Sequence, residues 1–412
     1  MSQRRFLLNF LTLLLVRSGG LIISIMVGLF LVRFLSASAF GAYSLATTTI
    51  GLMGVVADFG FDPILSREIA AHRAGSSFVR RISFFRIGLG LVLTILFSLL
   101  AQVTPIFGRA ELLLIGGISL LPRSFMRTMA AALTGHGSAH RAAQLEGITI
   151  LANSCLMVIL VIWAKAYHLE GDFAAMVGLS LGNLIGALYA LGHWAGIKSL
   201  TKTSTAWSAS LRGAAAFTLI GLAGALFQAL DLYLIAVWYR LPSGAVDAVA
   251  LYAAPFRVLN LLLVLPTVWG TIALPRYSQL LAHQSVLKRQ LYKDTLRWLV
   301  GGVLVCALCV VLAEPITTIA LGSTYVQSVP LLQVLCWMML FASLSAPAVA
   351  YLTTANRQGL ILMSVLAGNL ILLTANWVLL GKGLIGVALV KVLSMAVMAG
   401  LYWLAIWRNT TW

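Results

Sequence analysis

Five charged side chains interrupt long apolar runs, and their types suit anion binding and ion pairing rather than bond making. Arg17 falls within Leu15-Val16-Arg17-Ser18-Gly19-Gly20, Arg257 follows Ala253-Ala254-Pro255-Phe256, and Lys391 lies inside the last apolar run. Asp58 and Asp231 stand against them. An ionisable group at the bilayer centre costs at least about 2.5–3.5 kcal/mol, so each is a functional candidate. A guanidinium stays charged when partly desolvated, and its planar fork takes phosphate oxygens two at a time. One reading pairs Arg17 with Asp58 and Arg257 with Asp231, as buried ion pairs that fix helix registry. The other places Arg17, Arg257 and Lys391 in a water-filled central cavity that receives an anionic headgroup. The two coexist if the ligand competes with the aspartates for the arginines. Asp58 and Asp231 are also the acidic groups deep enough in the spans to serve a coupling ion, H⁺ or Na⁺. Asn153, Asn183, Gln228, Asn260, Asn369 and Asn376 would line the same cavity and meet sugar hydroxyls. Hydrogen bonding between helices is their alternative use.

No other constellation suggests catalysis, a metal or a cofactor. Cys155, Cys306, Cys309 and Cys336 all lie in apolar runs. The CxxC spacing of Cys306 and Cys309 has no His or acidic neighbour, so small packing residues are expected there. His136 and His140 are four apart in a loop without a carboxylate partner. No GxxxxGK[ST] nucleotide loop is present.

The elements that must position these charges are membrane spans. Of 412 residues 61% are hydrophobic and only 9% are charged, against roughly 25% charged in ordinary chains. That composition excludes a soluble enzyme, a nucleic-acid-binding domain and a disordered tail. Apolar stretches of spanning length, roughly 20 residues each, are expected at 7–32, 41–62, 83–104, 110–133, 141–164, 173–195, 211–238, 248–273, 296–319, 329–353, 359–380 and 384–407. The run after Arg4 and Arg5 resembles a secretion signal, but Arg17 interrupts it and no small-residue cleavage pattern follows, so a retained first helix is expected. Arg86, Arg123 and Arg127 lie near span ends, where snorkelling would suffice.

The net charge of +17 is mostly topological. Twenty of the 28 Lys and Arg residues fall on one side of the twelve spans, among them the clusters Arg67–Arg86 and Arg276–Arg297. Five fall on the other side, namely Arg33, Arg109, Lys165, Arg240 and Lys382. The basic side is the cytoplasmic one, so both termini are expected there.

The halves of the chain echo each other. Gly41-Ala42-Tyr43 opens the second span and Ala250-Leu251-Tyr252 the eighth, while Leu133-Thr134 ends the fourth and Leu352-Thr353 the tenth. The expectation is an all-α polytopic membrane protein with twelve transmembrane helices in two six-helix lobes, residues 1–200 and 201–412, related as a parallel pseudo-repeat. A ligand site would then lie between the lobes near the midplane.

Several segments resemble the Wzx-type O-antigen and polysaccharide flippases. They are Phe40-Gly41-Ala42-Tyr43-Ser44-Leu45, Ala57-Asp58-Phe59-Gly60-Phe61 and Ser66-Arg67-Glu68-Ile69-Ala70 around the second helix, and Leu230-Asp231-Leu232-Tyr233-Leu234-Ile235 and Leu274-Pro275-Arg276-Tyr277-Ser278 in the seventh and eighth. Gly322-Ser323-Thr324-Tyr325 and Asn356-Arg357 continue the likeness. The resemblance implies membership of the multidrug/oligosaccharidyl-lipid/polysaccharide exporter superfamily. It also implies translocation of a polyprenyl-pyrophosphate-linked oligosaccharide from the cytoplasmic to the outer leaflet of a bacterial inner membrane, by alternating access and without covalent chemistry. Cavity arginines on the first and eighth helices hold the pyrophosphate in related lipid-linked precursor flippases, and Arg17 and Arg257 fall on those helices. The implied partners are the lipid-linked oligosaccharide, membrane lipids, and a polysaccharide polymerase with its chain-length regulator; nucleic acid is not one. A multidrug exporter of the same superfamily is the alternative, and three deep basic groups against two acidic ones argue against it for cationic drugs. A membrane glycosyltransferase or polysaccharide polymerase would be expected to need larger exterior loops than this chain has.

Overall fold

The computed structural model describes residues 3–71, 74–194, 207–239, 245–281, 283–379 and 382–409; the side chains of residues 3–18, 105, 208–209, 245–246, 271–272, 275 and 409 lie outside that description. The side chains of Arg4, Arg5 and Arg17, and residues Arg73, Lys198, Lys202 and Arg240, therefore lie outside the described residues. The described residues form helices and turns, without a strand. Ten of the helices are long and apolar enough to cross a bilayer. Each of the twelve predicted spans coincides with one helix or one broken helix, and the chain divides into two compact units, Met1–Ala225 and Leu226–Trp412.

The first unit holds α1 (Gln3–Phe34), α2 (Ala37–Asp58), α3 (Phe61–Ala70), α4 (Ser76–Val103), α5 (Ala110–Ile118), α6 (Leu120–Gly135), α7 (Ala139–Ala166), α8 (Gly171–Leu191) and the first part of α9 (Trp207–Trp238). The second predicted span is broken: Phe59 (φ 44) and Gly60 (φ 58) are both left-handed, so α2 stops and α3 restarts at an angle. Glycine is required at the second of these positions. A Cβ there would come within 2.5 Å of the Ala214 carbonyl oxygen and 2.7 Å of Phe217 Cβ, because α9 packs directly on the break. Phe59, Phe61, Phe85 and Trp207 close around it, with Phe61 and Trp207 stacked at 5.6 Å. Elsewhere α8 lies tightly on α7 through Gly178, Gly182 and Gly186, which recur every fourth residue on one face. Small residues at that spacing let membrane helices approach to backbone contact.

The second unit holds the rest of α9, then α10 (Ala245–Leu280), α11 (Gln284–Val311), α12 (Ala313–Ile316), a π turn (Thr317–Leu321), a 3₁₀ segment (Ser323–Ser328), α13 (Val329–Leu335), α14 (Trp337–Thr354), α15 (Gln358–Leu379) and α16 (Gly383–Asn409). Helix α10 runs unbroken through Pro255, so the proline removes one helix hydrogen bond without ending the helix.

The internal repeat is visible in matching details of the two units. The fourth span breaks at Ser119, between α5 and α6, and the tenth breaks at Cys336, between α13 and α14. Helix α6 ends with Ser138 N–H donating to Leu133 O at 2.9 Å and Gly137 N–H to Thr134 O at 3.1 Å. Helix α14 ends with Arg357 N–H donating to Leu352 O at 2.8 Å and Asn356 N–H to Thr353 O at 3.1 Å. Gly137 (φ 80) and Asn356 (φ 57) are the left-handed residues of the two turns. These are the same six-to-one helix ending, built on the Leu-Thr pairs that repeat in the sequence.

Candidate functional site

In the first unit the charges gather under the break in the second span. Asp58 ends α2, and Asp62 sits in the first turn of α3, where a carboxylate favours the helix N-terminus. Arg86 reaches across from α4. Its Nε donates to Asp58 O at 2.9 Å, Nη1 to Thr128 Oγ1 at 3.1 Å and Nη2 to Asp62 Oδ1 at 2.7 Å. Arg127, from α6, meets Asp58 Oδ2 at 2.9 Å and Asp62 Oδ2 at 2.6 Å. Through Asp58 and Asp62, Arg86 and Arg127 tie the broken helix to α4 and α6.

Arg86 is 0% exposed and lies 5.9 Å from the centre of the Phe61 ring. Its expected snorkelling is therefore overturned: the side chain turns inward because the break exposes a carbonyl and two carboxylates that need donors. Arg127 keeps 40% of its side chain exposed. The ion pair weighed for Asp58 forms with Arg127, and the side chain of Arg17, on α1, lies outside the described residues.

The second unit has a smaller buried network that joins α9, α10 and α16. Lys391 is 0% exposed and Asp231 is 1% exposed, with Nζ and Oδ2 at 3.3 Å. Tyr252 OH donates to the same carboxylate oxygen at 2.9 Å. Lys391 also donates to the Phe227 carbonyl, and its ammonium sits 4.3 Å from the Phe227 ring centre and 5.9 Å from that of Phe256. Asp231 Oδ1 is buried with no hydrogen-bond partner among the described residues. The partner of Asp231 is thus Lys391, and Lys391 is closed off with its charge neutralised rather than facing an open space in this conformation.

Arg257 is half-buried on α10, and Asn260, one turn further along, is exposed. Residues three apart on a helix share a face, so a cation and an amide stand together on an otherwise apolar span. Gln228, on α9, is exposed. Asn153 lies in the α7–α8 seam at the close approach to Gly182, and its Oδ1 is buried without a partner among the described residues. Asn183 Nδ2 donates to Leu179 O at 2.9 Å within its own helix, as Asn376 does to Leu372 O at 2.7 Å. Asn369 is buried on α15.

Sequence reasoning passed over Asp62, Arg86 and Thr128 as members of a site. A glycine between two aspartates, Asp58 and Asp62, inside an apolar run is the one mark of this site in the sequence. Among the described residues no cluster of three or more His, Cys, Asp or Glu is arranged for a metal ion.

The long apolar helices, with charges paired inside them, are those of a multi-pass membrane protein, and solved membrane proteins share the fold. The chain is similar to "Lipid II flippase MurJ, inward closed conformation", with a TM-score of 0.75 at 13% identity over 95% of this chain and 86% of that one. It is similar to a MOP superfamily transporter from Pyrococcus furiosus, described under "Reverse polarity of binding pocket suggests different function", with a TM-score of 0.67 at 16% identity over 96% and 93% of the two chains. A structure of MATE in complex with MaL6 gives 0.65 at 14% identity over 96% and 93%. At such identities the likeness establishes the fold alone, one that the chain shares with the MurJ, Pyrococcus and MATE structures. No curated protein matches the chain in sequence. The family model described as "Polysaccharide biosynthesis protein" matches residues 6–281, and the chain belongs to that family.

Proposed function

We propose that this transporter is a flippase for a polyprenyl-pyrophosphate-linked oligosaccharide, an O-antigen or other polysaccharide repeat unit, carried from the cytoplasmic to the outer leaflet of a bacterial inner membrane. The observation that carries this reading is the polar face of α10, where half-buried Arg257 and exposed Asn260 interrupt an unbroken apolar span. A guanidinium so placed meets the diphosphate bidentately, and the amide meets a neighbouring sugar hydroxyl. Arg17, on α1, supplies the second cation. Gln228 is a further exposed group for sugar contact. The polyprenyl tail stays in lipid throughout.

Two six-helix lobes, residues 1–200 and 201–412, alternate access by rocking, and no bond is made or broken. Lys391 and Asp231 act as one unit in this cycle. Their pair holds three helices together in the present state, and Asp231 takes the coupling ion, H⁺ or Na⁺, when the pair opens. The Asp58 network fixes the break in the first unit. Polysaccharide polymerase and its chain-length regulator then consume the delivered unit.

The test is outer-leaflet delivery of the lipid-linked oligosaccharide in cells whose only copy carries Arg17→Ala or Arg257→Ala, at membrane levels matched to wild type. Both variants are expected to lose delivery. Undiminished delivery, or a drug-sensitivity phenotype in its place, contradicts the reading.

A further inference from the structure

The second unit carries a basic pocket that none of the above uses. It opens at the end of the helices assigned to the cytoplasm by the distribution of basic residues, and its volume is about 570 Å³, in the range that holds small ligands. Lys288 from the first turns of α11 and Arg357 from the turn between α14 and α15 supply two cations, and Gln284, Thr354 and Asn356 add polar groups. No acidic side chain lines it among the described residues.

The turn that presents Arg357 is fixed. Left-handed Asn356 closes α14, and the Arg357 N–H is held by Leu352 O at 2.8 Å, which also occupies a carbonyl that would otherwise repel an anion. Lys288 is half-buried, whereas its neighbour Arg289 is exposed, so the two lysine and arginine stems leave the same helix into different surroundings. The remaining wall is apolar, formed in part by Leu281 and Ile406. Next to it Trp407 is 66% exposed, and an exposed tryptophan at a span end marks the level of the lipid headgroups. A cavity that is cationic on one side, greasy on the other and set at headgroup depth fits an amphiphile better than a soluble anion.

We propose that this pocket binds the phosphate of an anionic lipid in the cytoplasmic leaflet, at a site separate from the Arg257 face. Lys288 and Arg357 grip the phosphate, the polar residues take its glycerol or sugar side, and Leu281 and Ile406 receive the start of the acyl or prenyl chain. Basic pockets between spans on the cytoplasmic side recognise lipid phosphates in this way. The site stands whether or not the transported molecule is a lipid-linked saccharide. The same phosphate chemistry comes from a bulk phospholipid or from a polyprenyl diphosphate waiting to enter.

The test uses the purified full-length protein in detergent, titrated with dioleoyl phosphatidylglycerol or dioleoyl phosphatidylcholine and read by native mass spectrometry. Wild type is expected to bind phosphatidylglycerol in preference. Lys288→Gln/Arg357→Gln is expected to lose about thirtyfold in that affinity, with phosphatidylcholine binding unchanged. The charge-preserving Lys288→Arg/Arg357→Lys protein keeps the preference, which separates loss of the site from loss of fold. Arg289→Gln/Lys293→Gln, two exposed charges on the same helix, should change affinity less than twofold. Equal losses in the two neutralised pairs, or no loss in the first, overturn the proposal. Competition by geranyl diphosphate sustains the site and assigns it to the diphosphate lipid; phosphatidylglycerol binding that geranyl diphosphate leaves unchanged sustains it and assigns it to membrane phospholipid.

Discussion

Neutralising Lys391 alone should destabilise the protein far more than removing the whole pair. At 3.3 Å, Lys391 and Asp231 attract by about 5 kcal/mol at an effective dielectric constant of about 20. Both are out of water, so most of that attraction offsets desolvation. Lys391→Met therefore leaves a carboxylate whose Oδ2 keeps only the Tyr252 hydroxyl and whose Oδ1 already has no partner. Leaving one member of a buried pair uncompensated costs about 3–5 kcal/mol. Asp231→Asn/Lys391→Met removes both charges and retains the shape of the carboxylate, so it should cost clearly less than Lys391→Met, by about 2 kcal/mol or more. The assay is thermal unfolding of purified protein in one detergent, followed by tryptophan fluorescence. About 2 °C of Tm per kcal/mol, scaled from domains of 150–250 residues, predicts a drop of roughly 6–10 °C for the single variant and partial recovery in the double. A single variant within 2 °C of wild type, or a double variant that melts at the sum of the two single losses, would refute the pairing as the source of stability.

Further expectations concern the first unit and the topology. Arg86→Met removes three hydrogen bonds from a wholly buried guanidinium and leaves Asp62 with Arg127 alone; it should cost about 3–5 kcal/mol, read as loss of monodisperse protein on size exclusion. Gly60→Ala should cost about 2–5 kcal/mol, because it adds left-handed strain and pushes a methyl group into the Ala214 carbonyl. In a cysteine-free protein, an impermeant maleimide should label Lys382→Cys in intact cells and Arg289→Cys only after permeabilisation, both positions being exposed; the opposite pattern would invert the membrane orientation.

The positions of the spans and the internal repeat were legible because they rest on hydropathy and on short pairs such as Leu133-Thr134 and Leu352-Thr353, whose helix endings prove to match bond for bond. The breaks at Phe59-Gly60, Ser119 and Cys336 were not, because hydropathy reports the length of an apolar run and is blind to its backbone dihedrals. Arg86 was misjudged for the same reason. Read by its distance from a span end it snorkels, yet its partners Asp58, Asp62 and Thr128 lie 24 to 42 residues away and meet it only once the second span bends. The depth of Asp231 and Lys391 in their spans was readable from the chain. Their pairing was not, since a carboxylate with several cations at similar depth has no sequence-level reason to choose among them.

The central claim is tested most directly by reconstitution of the purified protein in liposomes that carry a fluorescent polyprenyl-diphosphate saccharide. Wild type should move it between leaflets. Arg257→Ala should slow that movement at least about tenfold, the scale of one lost hydrogen bond to a charged group, and Arg257→Lys should recover part of it. Equal rates for wild type and Arg257→Ala, or no movement of the lipid-linked saccharide by wild type that remains folded, would contradict the account.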